Sequence, residues 1–369
     1  MLDMIIVEEP ARYRSAGSLL RSHADAAWQW MCRDLCPDLL PLSGDVSTAE
    51  LELAMPHLLG RIREAMAAAA GSPEQDQRLR ASLGTGEARE ALPALILALR
   101  SRNLLVKARA FGNAINSIGD DAALGAALQA MPLQDPPLAA LLFHAALGQV
   151  GNPTRVITTI IKVSGGASEG AVIRAGFGPV VDAILAHAQN QLHVLQASGP
   201  FADIDRVCRS LELFHRQLRS VVGYVELSRN GRWSAALTGI IKQASDRVEP
   251  RLRTVLADLN LAMRRGREGS DRLDGDAILG AINGMYLLAT LRECRDSLAL
   301  NTLFEQTWNQ VGQALELHVQ RQLDLLRQQP DDKVTGARLD AAIKMAEIRF
   351  KPEYGETLRR ARAAAERQV

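Results

Sequence analysis

Aromatic side chains are scarce in this chain of 369 residues, at 4%. Strands draw on Tyr, Phe, Trp and β-branched residues, so this composition, rich in Ala, Leu and Arg, argues against a sandwich or barrel and for close-packed helices. Proline is scarce in one half only: after residue 201 it occurs at Pro250, Pro330 and Pro352, while the first 200 residues hold the other twelve. A proline-poor half that keeps helical apolar spacing is a module of long helices.

Charge of one sign is also missing. The formal net charge is +1, which excludes recognition of nucleic acid or membrane by bulk electrostatics. The longest apolar runs, such as 138–142, are far too short to span a bilayer, and the first residues lack a basic leader region. Four cysteines, Cys32, Cys36, Cys208 and Cys294, form no paired framework and read as reduced thiols of a cytoplasmic protein. The Arg- and Ala-rich composition fits a bacterial source.

The sequence instead offers helical periodicity. Ile204, Val207, Leu211, Phe214, Leu218, Val221 and Val225 recur at steps of three and four, with Asp203 placed to cap the first turn. A second helix follows from Trp233 through Leu237, Ile241, Val248 and Leu259, kinked or briefly broken at Pro250. Two more are expected on either side of 296–301, and two shorter ones around Leu339 and Leu358. The chain is therefore read as all-α, with a bundle of long antiparallel helices over 200–369 and short stacked helices over 1–199.

In the first region Ser47 and Glu50 form a capping box, and apolar helices are expected to start near Pro93, Pro137 and Pro179. Those spacings lie within the range of two-helix HEAT-type repeats, with an irregular helical domain as the alternative. Residues 154–163 are rich in β-branched side chains. Asn152 and Pro153 nevertheless supply a cap and first turn, which favours helix.

Few residues point to chemistry. Gly166-Ala167-Ser168-Glu169-Gly170 matches the G-x-S-x-G nucleophile elbow, with His187, His193 or His215 as base and Asp182 as its orienting acid. The elbow stands at the end of a strand in a parallel sheet, and nothing else in the chain reads as such a sheet. Arg209 and His215 have the R-x5-H spacing of HEPN-type helical ribonucleases, a coincidence to be expected among 37 arginines and seven histidines. No metal set, phosphate loop or dinucleotide fingerprint is present, so no cofactor and no metal are assigned.

Two groups mark a candidate partner surface. Arg264, Arg265 and Arg267, with Arg272, cluster in a loop between long helices, where guanidinium groups can clamp carboxylates or phosphates or serve simply as a solvated helix end. Trp28 and Trp30 fall about 200° apart on a helix expected over 15–35, so one groove cannot easily bury both. Either both rings pack within the domain or one meets a partner. The sequence is read as that of a non-enzymatic interaction or scaffold component with a protein partner or self-association, the alternatives being a serine hydrolase using Ser168 and a helical ribonuclease using Arg209 and His215. A fragment from about Gly199 onward is expected to fold alone, and a melt without cooperativity would show that the two halves share one core.

Overall fold

Most of the helix starts written in the sequence are realised by side-chain caps. Ser47 accepts from the Glu50 amide while the Glu50 carboxylate accepts from Ser47 N at 2.9 Å, and the helix Thr48–Gly71 follows. Asn152 accepts from Arg155 N, Pro153 occupies the first turn, and the β-branched stretch is helical over Pro153–Ser164. Its faces explain the outcome: Val156, Ile157 and Ile160 are buried on one side, and helix packing outweighs local strand preference. Asp203 accepts from Arg206 N at 3.0 Å and opens Ile204–Val222.

The computed structural model describes residues 2–8, 11–40, 46–195, 203–265 and 272–367. Among these the protein is all-α, with sixteen α-helices and a single two-residue parallel strand pair, Ile6–Val7 with Leu19–Leu20. No helix of the described residues is long and apolar enough to cross a membrane.

Three expectations need correction. The helix expected over 15–35 begins only at Arg21, because Ser15 and Ser18 close a turn and Leu19–Leu20 pair with the first strand; its end, Met31–Leu35, widens into a π-helical turn. Pro93 lies inside Gly86–Arg100, whose cap is Thr85, whereas Pro137 and Pro179 do sit in first turns. Pro250 lies inside one continuous helix, Arg232–Ala262, and does not break it.

The chain divides into two compact units, Met1–His193 with Arg216–Leu237, and Val194–His215 with Thr238–Val369. Within the first, the N-terminal segment is held along the helix Gly178–Val194. Gln189 accepts from the amides of Arg12 and Tyr13 and donates to the Tyr13 carbonyl, and Asn190 accepts from Glu8 N. Asp182, buried on the same helix, accepts from Tyr13 Oη at 2.6 Å and from Trp233 Nε1 at 2.6 Å, and pairs with Arg232 at 2.8 Å. Burial and the adjacent carboxylate push the Tyr13 phenol well above its ordinary pKa, so it stays a donor. A cut at residue 199 therefore separates Trp233 from Asp182.

In the second unit the helices Gly275–Cys294, Asn301–Gln328, Lys333–Arg349 and Pro352–Glu366 pack together. Val311, Leu315, Val319, Leu323 and Leu326 form the buried stripe of the longest, against Leu339, Ala342, Ile343 and Ala346 on the next. Each large aliphatic side chain buried this way contributes roughly 1.5–3 kcal/mol.

Because Asp182 satisfies two buried donors, Tyr13 Oη and Trp233 Nε1, beside the exposed Arg232, Asp182→Ala is expected to destabilise the first unit by about 2–6 kcal/mol, roughly 1–3 kcal/mol for each stranded donor. Tyr13→Phe removes one charge-assisted bond and is expected to cost about 1.5–3 kcal/mol. Urea titration followed by tryptophan fluorescence measures both; a change below about 0.5 kcal/mol for Asp182→Ala would show that the cluster is incidental to stability.

Candidate functional site

The residues singled out in the sequence are dispersed. Trp30 is 4% exposed and packs in the core of the first unit with Met31, Cys32, Leu58 and Ile62, while Trp28 is 36% exposed. The 200° separation thus sends one ring inward and the other toward solvent. Arg264 is exposed, Arg265 lies 4.0 Å from Asp332, and Arg272 is exposed; Arg267 falls outside the described residues.

Ser168 is a helix cap. Its Oγ accepts from Ala171 N at the start of the six-residue helix Glu169–Arg174, and a bridge joins it to Glu226. The segment before it is the helix Pro153–Ser164, closed by Gly165 at φ 70°, where an elbow requires a strand. Of its supposed partners, His193 is exposed and the others are engaged elsewhere. His187 Nε2 donates to the His144 carbonyl at 2.8 Å, His215 Nδ1 bonds Ser297 Oγ at 2.9 Å, and Asp182 holds Tyr13, Trp233 and Arg232. Burial lowers the pKa values of both His144 and His187, favouring their neutral forms. Arg209 is exposed and bonds the Asp205 carbonyl of its own helix, about 120° around the axis from His215.

A different constellation gathers in the second unit. Trp308, Gly312 and Glu316 follow one another at steps of four on Asn301–Gln328, so they share a face. Against that face lies Arg349, the last residue of Lys333–Arg349, with its guanidinium carbon 3.4 Å from the Trp308 ring centroid. Arg292, near the end of Gly275–Cys294, places its own guanidinium 5.1 Å from the same centroid. Gly312 makes the stacking possible: a Cβ there would stand 2.9 Å from Arg349 Nη2.

Arg349 is 8% exposed. Its Nη2 donates to the Trp308 carbonyl at 2.7 Å, and its buried Nε has no hydrogen-bond partner. Neither Arg349 nor Arg292 forms an ion pair among the described residues. Buried charges are ordinarily paired, and here the indole face supplies part of the compensation through the cation–π attraction, about 2 kcal/mol when desolvated. The position at a helix C-terminus supplies more, through the carbonyl dipoles. The rest is left open: burial first, and then the like charge of Arg292, press the Arg349 pKa down to about 10, while Glu316 pulls it back up. The side chain remains cationic at neutral pH.

These residues line a cavity of about 580 Å³, which also meets Phe350, Lys351 and Tyr354. Lys351 begins the helix Pro352–Glu366 without a side-chain cap. That volume suits a small ligand or a few side chains of a partner. The chemistry on offer is recognition of an anion by guanidinium groups beside aromatic walls. A second cavity of the same volume, near Val255 and Gly284, has Asp258, Asp274, Asp276 and Arg251 as its charged lining, and Asp274 is committed to capping Gly275–Cys294.

Nothing in the sequence singles out Arg349 and Arg292, which are two arginines among 37. The available signal was the Trp308, Gly312, Glu316 spacing, a large ring followed one turn later by a residue without a side chain. No family model, curated protein or solved structure matches this chain.

Replacing Trp30 by Ala is expected to destabilise the first unit by about 3–5 kcal/mol, as for a large ring removed from a core. Trp28→Ala should cost less than half as much. Denaturant titration of the two variants decides the matter, and equal losses would contradict the burial difference.

Proposed function

We propose that the protein is a non-enzymatic helical interaction or scaffold component, which engages a protein partner through the Trp308 cavity of its second unit. The observation that carries this reading is the convergence of Arg349 and Arg292 on one indole, with no ion pair to either among the described residues. Such an arrangement costs stability in the isolated chain and is relieved by an anionic group from outside. Arg, Trp and Tyr are also the side chains on which binding energy concentrates at protein interfaces.

Affinity capture of the intact protein from its own cells provides the test, with wild type set against the double variant Arg292→Glu, Lys351→Glu. Both positions are exposed and outside the core, so the fold is expected to persist, which circular dichroism checks. A partner retained by the wild type and depleted at least tenfold with the variant is the expected result. Equal recovery from both proteins would remove the cavity from the interaction, and covalent labelling of Ser168 by a fluorophosphonate probe would return the chain to the hydrolase reading.

A further inference from the structure

Resting on the reading that the cavity receives a protein partner, we infer that the group it recognises is a side-chain carboxylate of an acidic segment, taken as a single negative charge between Arg349 and Arg292. Three observations lead there. The first is geometric: Arg349 is held flat against Trp308 by the 3.4 Å stacking and the 2.7 Å bond to the Trp308 carbonyl. A guanidinium fixed in this way keeps its remaining donors in one plane, the geometry that suits the two oxygens of a carboxylate. Its ordering cost is met within the folded chain, before any ligand arrives.

The second observation is the charge count. Arg292, Arg349 and Lys351 line the cavity together with Glu316 and Glu353, leaving a formal excess of one positive charge. One excess charge matches a carboxylate. A phosphate carrying nearly two negative charges at neutral pH would keep a net repulsion from the two glutamates. The third concerns the walls. Phe350 and Tyr354 meet edge to face at 5.1 Å beside the cations and offer apolar surface to the residues flanking the recognised carboxylate. A free inorganic anion makes no use of that surface. The uncapped first turn of Pro352–Glu366, whose helix dipole favours negative charge, adds to the attraction without altering the choice.

Binding is measured with the full-length protein at low ionic strength by tryptophan fluorescence, since Trp28, Trp30 and Trp233 belong to the other unit and Trp308 alone lines the cavity. Three probes are compared: acetyl-Leu-Glu-Leu-amide, its Gln counterpart, and inorganic phosphate. The Glu peptide is expected to give a saturable change and to bind at least tenfold more tightly than the other two. Arg292→Gln should weaken it at least tenfold, and Glu316→Gln should narrow the gap between Glu peptide and phosphate. Equal titration by the Glu and Gln peptides, tighter binding of phosphate, indifference to Arg292→Gln, or no saturable change would each overturn the inference. Its failure is separable from that of the partner reading. A captured partner that is lost on charge reversal, with no affinity for the Glu peptide, defeats the carboxylate alone. Glu-peptide affinity without any cavity-dependent partner defeats the partner reading alone.

Discussion

The carboxylate of Asp182 fixes the first unit. It is buried on the helix Gly178–Val194 and reaches a phenol from the N-terminal segment and an indole and a guanidinium from the start of Arg232–Ala262. A buried carboxylate is tolerable only when its oxygens are saturated, and here the donors come from two distant parts of the chain. That requirement ties residues 13, 182, 232 and 233 to one another more strongly than apolar contact alone, because apolar contacts accept neighbouring registers and this hydrogen-bond set does not. It also gives a physical reason why Arg216–Leu237 belongs with the first 193 residues although it lies in the proline-poor half.

The second unit contains the opposite case. Arg349 is as buried as Asp182, yet it forms no ion pair among the described residues. A ring face, a backbone carbonyl and helix dipoles hold the charge, and its lowered pKa of about 10 records the shortfall. Replacing such a group by an apolar side chain of similar volume is commonly neutral or favourable for stability. Its presence in the longest-helix unit is therefore explained by recognition more readily than by folding.

Much of the helical framework was legible in the sequence, because caps and periodicity are local. Ser47 with Glu50, Asn152 with Pro153, and Asp203 each announced a helix start from within four residues. The stripe from Val207 to Val225 appears in the buried core as read. What the sequence did not reveal depends on pairing at a distance. Tyr13 and Asp182 lie 169 residues apart, and Arg349 meets Trp308 across 41. The early helix starts later than expected for the same reason: Leu19–Leu20 pair with Ile6–Val7, a contact that periodicity cannot register. For Trp28 and Trp30, helical phase gives a separation of about 200° but does not say which side faces the core.

The charges around Trp308 act against one another in a way that sets selectivity as well as affinity. Arg292 presses on Arg349 as a like charge and thereby raises the value of any anion that settles beside both, since one negative group relieves two positive ones. Glu316 works in the other direction, supporting the Arg349 cation while repelling the incoming charge. Removing the glutamate would strengthen anion binding in general and weaken discrimination between one charge and two. On the carboxylate reading, retaining it would favour ligands that bring a single charge and enough apolar surface to use Phe350 and Tyr354. Specificity of this kind is obtained by including a repulsive element next to the attractive ones, and it sacrifices affinity in proportion.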